Sequence, residues 1–212
     1  MNVLDSCGVT PGPAQAAPAA ASTRRDAVRN RSAIVAAAER VFAAEGAHAP
    51  LARVAHEAGV GRATVQRHFP DRYALAAAVY GRNLDDVEAW AARHADAPGA
   101  LDEVVRRVVD GQRRAAGLFP RMRSDAAAAP YLDALGRRLD TLLTAPTAAA
   151  VARGEIAAGT TVADVQLVLA MAEGLLASYD GEERTRALDR GLRIALAGLR
   201  EPSTTATGTS AS

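Results

Sequence analysis

Five side chains within seven residues, Arg62, Thr64, Gln66, Arg67 and His68, bring together guanidinium forks, a hydroxyl, a carboxamide and an imidazole. These are the groups that hydrogen-bond base edges and phosphates when one helix carries them into a major groove. They can act together only if that helix also has an inward face. Val65 and Phe69, spaced i and i+4, supply one. A helical hairpin whose polar face is simply solvated is the alternative reading.

The flanking residues predict how such a helix would be held. Leu51, Val54, Ala55 and Ala58 recur at i, i+3, i+4 and i+7, one face of a preceding short helix. Gly59 ends it, because glycine accepts the left-handed conformation of a helix C-terminus. Val60 falls in the turn, the second helix opens near Arg62, and Pro70 stops it. Two short helices at a steep angle make a helix-turn-helix. Upstream, a helix from about Arg29 to Glu45 carries the apolar stripe Ile34, Ala38, Val41 and Phe42, with Gly46 as terminator. Downstream, Asp71 is a good N-cap. Arg72 then sits in a first turn, where a cation opposes the helix dipole, and that cost points to another purpose.

The run from Ala58 to Leu75, with the preceding stripe and Gly46, resembles the signature of TetR-type transcriptional regulators. These motifs cover about residues 30 to 80. The resemblance implies a homodimer on a palindromic double-stranded DNA operator, released by a small-molecule effector bound in a helical body. It also implies that Arg72 contacts phosphate. Two positions depart from the pattern. Gly61 stands where the family has a Ser or Thr cap, so no side-chain oxygen is available there. Gln66 stands where the family has a phosphate-contacting Tyr, and Gln66 can read a base instead.

Charge is distributed accordingly. The net charge is +1, and every one of the 25 basic residues is Arg. Residues 24–72 hold nine Arg against five acidic residues, while the rest holds sixteen against nineteen. A basic module on a mildly acidic body fits a nucleic-acid-binding head. Arg24, Arg25, Arg29 and Arg31 form either an arm laid along DNA or a solvated helix start.

The expected class is all-α: a three-helix DNA-binding domain over 24–75, then a helical ligand-binding and dimerisation domain over 76–200. Residues 1–23 and 201–212, rich in Ala, Pro, Gly, Ser and Thr, are expected to be disordered. Helices are expected from Asp71 to Ala97, over 101–118, from Tyr131 to Thr144 with a kink or restart at Pro146 and a short helix on to Arg153, from Val162 to Tyr179, and from Glu182 to Leu199. Trp90, Phe119, Met122, Tyr131, Met171 and Tyr179 are bulky enough to line an effector cavity, or they are ordinary core. The last two helices carry a surplus of apolar residues, including Val165, Leu169, Leu176, Leu188, Leu192 and Leu199. Either a second copy or the preceding helices of the same chain would cover them.

Enzymatic chemistry finds no foothold. No two of His48, His56, His68 and His94 have metal-site spacing, and the lone Cys7 is remote from all of them. No phosphate loop follows a strand and no Ser lies in a nucleophile elbow, so no cofactor or metal is expected. No apolar run reaches the length of a membrane span, and the N-terminus lacks the features of a signal peptide, so a cytoplasmic protein is expected. An all-helical scaffold without sequence-specific DNA binding is the competing function.

Overall fold

The computed structural model describes residues 17–45, 49–114 and 122–200. Among them are eight α-helices and no strand. In chain order these are α1 (Ala17–Glu45), α2 (Leu51–Glu57), α3 (Arg62–His68), α4 (Arg72–His94) and α5 (Ala100–Arg114). A 3-10 turn at Ala126–Ala128 leads into α6 (Ala129–Ala152), followed by α7 (Val162–Ser178) and α8 (Gly181–Gly198).

The first three helices form the expected head. Ile34, Ala38, Val41 and Phe42 of α1 are buried against Val54, Ala55 and Val65. The α2–α3 turn is a Schellman motif: Gly59 N–H donates to the His56 carbonyl and Val60 N–H to the Ala55 carbonyl, with Gly59 at φ +65°. This fixes the angle at which α3 leaves α2. Two ion pairs then clamp the head, Arg40 to Glu57 between α1 and α2 at 2.9 Å and Arg53 to Glu45 at 3.0 Å.

In the body, α4 packs on α5 and α6, α5 and α6 support α7, and α7 pairs with α8. Thr161 caps α7 through a reciprocal box with Asp164. Gly191 of α8 lies so close to Leu175 of α7 that a Cβ there would stand 2.4 Å from a leucine methyl.

Several boundaries differ from expectation. Helix α1 starts at Ala17, not near Arg29, so the segment 17–23 is helical rather than tail. It is Ala-rich, and its Pro18 falls in the first turn, where proline's missing N–H costs nothing. Helix α4 ends at His94, short of Ala97. Pro146 neither ends nor restarts a helix: α6 runs through it. The lost Leu142 carbonyl bond is outweighed because Leu142, Leu143, Pro146, Thr147 and Ala150 continue one buried stripe across the break. Expectations for residues 1–16, Gly46, His48, Phe119 and 201–212 lie outside the described residues.

Candidate nucleic-acid interface and body cavity

Helix α3 begins at Gly61, whose carbonyl receives the Thr64 and Val65 N–H groups and which offers no side-chain cap. Val65 and Phe69 are buried, so the helix is anchored by one edge. Arg62, Gln66 and Arg67 are exposed along the rest of the helix. Thr64 is half-buried, and the Arg67 guanidinium stands 3.5 Å from its hydroxyl, at the outer limit of a hydrogen bond. His68 is also half-buried and leans on Phe69, ring centroids 6.4 Å apart. Of the five sequence candidates, the outward row is therefore Arg62, Gln66 and Arg67, with Thr64 and His68 at its margin.

Other cations of the head are already engaged. Arg29 pairs with Asp26 at 3.2 Å. The Arg31 guanidinium lies 5.0 Å from the centre of the Phe69 ring and braces the end of α3 from α1. Arg72 donates to the Ala49 carbonyl at 3.4 Å, tying the start of α4 to the approach to α2. That contact gives a first-turn cation an internal use, beside any role at phosphate. Arg25 is exposed on α1, and the side chain of Arg24 lies outside the described part.

Two aspartates join the head to the body. Asp71 caps α4 by accepting the Ala74 N–H at 2.7 Å, and its second oxygen accepts the Tyr131 hydroxyl at 2.9 Å. Tyr73, two residues on, donates to Asp125 beside the 3-10 turn. Both hydrogen bonds hold the Asp125 carboxyl below its ordinary range, the Tyr73 bond more than the Ala127 N–H.

A cavity of about 810 Å³ lies between α4, α5, α6 and α7. Leu84, Leu132 and Leu139 give it an apolar wall, and Tyr80, Gln112, Arg123 and Glu173 are among its polar groups, with Asp133, Arg137 and Asp140 also charged. Glu173 meets Arg123 at 2.8 Å. Burial pushes the Glu173 carboxyl above its ordinary value against the pull of Arg123. Burial and then the Glu173 charge raise the Tyr80 hydroxyl well above its own.

Among the described residues, none of the bulky side chains expected around an effector lines this cavity. Trp90 stacks on His94 with ring centroids 4.6 Å apart and lies 4.9 Å from the Arg107 guanidinium. Tyr131 is committed to Asp71. Met122 is core, at 1% exposure, whereas Met171 and Tyr179 are exposed. Phe119 lies outside the described residues. Size and aromaticity mark core and surface alike, so they cannot locate a void. A carboxylate inside the apolar stretch 162–178 was the better signal.

The expected interface residues need the same revision. Val165, Leu169, Leu176 and Leu188 are buried within one chain, in a hairpin whose α7 packs on α5, α6 and α8. Leu192 and Leu199 are half-buried. What the α7–α8 hairpin leaves open is Leu167, Met171 and Ile194, at 62, 53 and 64% exposure, with the small Ala170 and Gly174 between them.

Four similarities to known proteins bear on this arrangement. Residues 34–79 match the model of bacterial regulatory proteins of the tetR family. Over 85 residues, 40% of this chain, the sequence is 41% identical to the HTH-type transcriptional repressor LfrR of Mycolicibacterium smegmatis. The match spans 44% of that repressor, less than half its length. Among solved structures, a TetR transcriptional regulator from Streptomyces coelicolor is 37% identical and aligns with a TM-score of 0.60 over 82% of this chain and 99% of its own. A TetR transcription regulatory protein from Mycobacterium vanbaalenii is 28% identical, with a TM-score of 0.58 over 84% of this chain and 99% of its own.

Proposed function

The chain belongs to the TetR family of bacterial regulatory proteins, and from that premise we propose that it is a cytoplasmic, ligand-responsive transcriptional repressor. It binds a palindromic double-stranded operator as a homodimer, and a small molecule in the body cavity releases it. It needs no metal or cofactor and catalyses no reaction. Supporting the soluble setting, no helix among the described residues is long and apolar enough to cross a membrane.

The observation that carries this reading is the exposed row Arg62, Gln66 and Arg67 on a helix that Val65 and Phe69 lock into the core. A helical scaffold would have no use for that row. Repressor rather than activator rests on the likeness to LfrR over 85 residues. In a symmetric dimer the two α3 helices must enter successive major grooves about 34–36 Å apart. An effector that prefers a different separation of the heads shifts the population away from the bound form.

The test is selection of bound sites from random duplex DNA, followed by anisotropy titrations across salt concentration. A palindrome should emerge, bound at least about 10³-fold more tightly than random duplex, with affinity falling steeply as salt rises. Equal binding to every sequence would leave only a basic surface and sink the operator reading.

Gln66 is expected to read a base, because its carboxamide can pair bidentately with adenine. Gln66→Ala should relax preference at one position per half-site, costing about 1–3 kcal/mol of discrimination there. Site selection on the variant checks this. A uniform loss over all sequences would make Gln66 a phosphate contact.

A further inference from the structure

Inside the body cavity the polar groups are unevenly matched. The Glu173 side chain is only 13% exposed, whereas that of its partner Arg123 is 58% exposed. The carboxylate thus belongs to the wall and the guanidinium to the mouth. The Gln112 side-chain oxygen is buried in the same wall without a hydrogen-bond donor among the described residues. An unmet buried acceptor costs free energy that a ligand N–H would recover. Among the charged residues lining the space, Asp133, Asp140 and Glu173 outnumber Arg123 and Arg137, and Asp140 already accepts from Gln166. Two kinds of charged ligand can be compared on this wall. An anion would have to draw Arg123 away from Glu173, leaving a shielded carboxylate without its cation, which is the expensive way to break an ion pair. A cation would replace Arg123 at Glu173, and Arg123 would turn to solvent, where it already stands for the most part.

We infer that the cavity takes a protonated amine on an apolar body, its ammonium group displacing Arg123 from Glu173 and donating to Gln112 while the apolar part lies along Leu84, Leu132 and Leu139. This rests on the reading of the cavity as the effector site. The displaced residue has a direct route to the head. Arg123 is two residues before Asp125, which accepts the Tyr73 hydroxyl, and eight before Tyr131, which donates to the Asp71 cap at the start of α4.

A matched series of probes tests the charge preference on the full chain by titration calorimetry: 2-(1-naphthyl)ethylamine, 2-(1-naphthyl)ethanol and 1-naphthylacetate. The amine should bind about tenfold more tightly than the alcohol, and the acetate most weakly. Glu173→Gln should bring the amine to within about threefold of the alcohol and leave the alcohol unchanged. Arg123→Ala should tighten the amine, because it removes a competitor and leaves Glu173 without a cation. Tightest binding by the acetate, lost in Arg123→Ala, would overturn the inference, as would an amine preference that survives Glu173→Gln. The same probes are then added to the operator complex. Amine-selective binding that leaves the operator complex intact keeps the ligand class and overturns the effector role. Failure of every probe to bind overturns the cavity as a ligand site altogether.

Discussion

Replacing Met171 and Ile194 together with Glu is expected to yield a folded monomer whose operator affinity is about 10²–10⁴-fold lower than that of the wild type, the range by which linking two binding heads raises avidity. Both residues are more than half exposed on the single chain, so charge there does not disturb the core. The same substitution at Val165 or Leu188, which are buried at 0% and 4% exposure, would unfold the hairpin and test nothing about assembly. Helices α7 and α8 pack closely at Gly191 and Leu175 as one hairpin unit. That unit exposes Met171, Gly174 and Ile194, with Leu167 and Ala170 exposed where α7 also borders the cavity. Across a two-fold axis the face meets itself, so each substitution enters the interface twice. Four carboxylates buried without partners cannot be tolerated there. Sedimentation of wild type and variant at micromolar concentration gives the answer. A wild type that sediments as a monomer, or a variant that stays dimeric, would remove this face from the assembly and the palindrome argument with it.

What could be read from the sequence follows a physical division. The head was legible because local rules decide it. Gly59 at the left-handed position, Asp71 at an N-cap and the stripe from Ile34 to Phe42 are all consequences of neighbours within a turn or two. The interior of the body was not, because tertiary packing decides it. Pro146 reads locally as a break, yet the buried stripe on both sides carries the helix through. Val165 and Leu188 read as surplus apolar surface, because periodicity says which residues share a face but not what covers it. The cavity is not marked in the sequence for the same reason. Its lining comes from α4, α5, α6 and α7, together with Arg123, and its ion pair of Arg123 and Glu173 joins residues 50 positions apart. The tie between Asp71 and Tyr131, 60 positions apart, was equally invisible, although Asp71 itself was correctly read as a cap.

Phe69→Ala is expected to cost about 3–5 kcal/mol of folding stability, the usual penalty for emptying a buried aromatic site. That is a large share of the roughly 5–15 kcal/mol available to a domain. Phe69 sits at the junction that decides whether α3 can be used at all. It is the C-cap of α3, its N–H closes the last turn onto the Val65 carbonyl at 2.8 Å, and its backbone is already extended towards Pro70. Its ring is 2% exposed and lies under the Arg31 guanidinium. With Val65 it forms the edge by which a seven-residue helix, too short to be stable alone, is held in place. The loss should therefore appear twice: as a lower urea midpoint with little change in slope, and as loss of operator binding under conditions where the body helices and the dimer persist. Phe69→Leu, which keeps most of the volume, should cost less than about 1.5 kcal/mol. Arg31→Ala should remove only the cation–ring contact, about 0.5–1 kcal/mol. If Phe69→Ala proves as mild as Phe69→Leu, the ring does not anchor α3, and the head must be held by the α1–α2 ion pairs and Val65 alone.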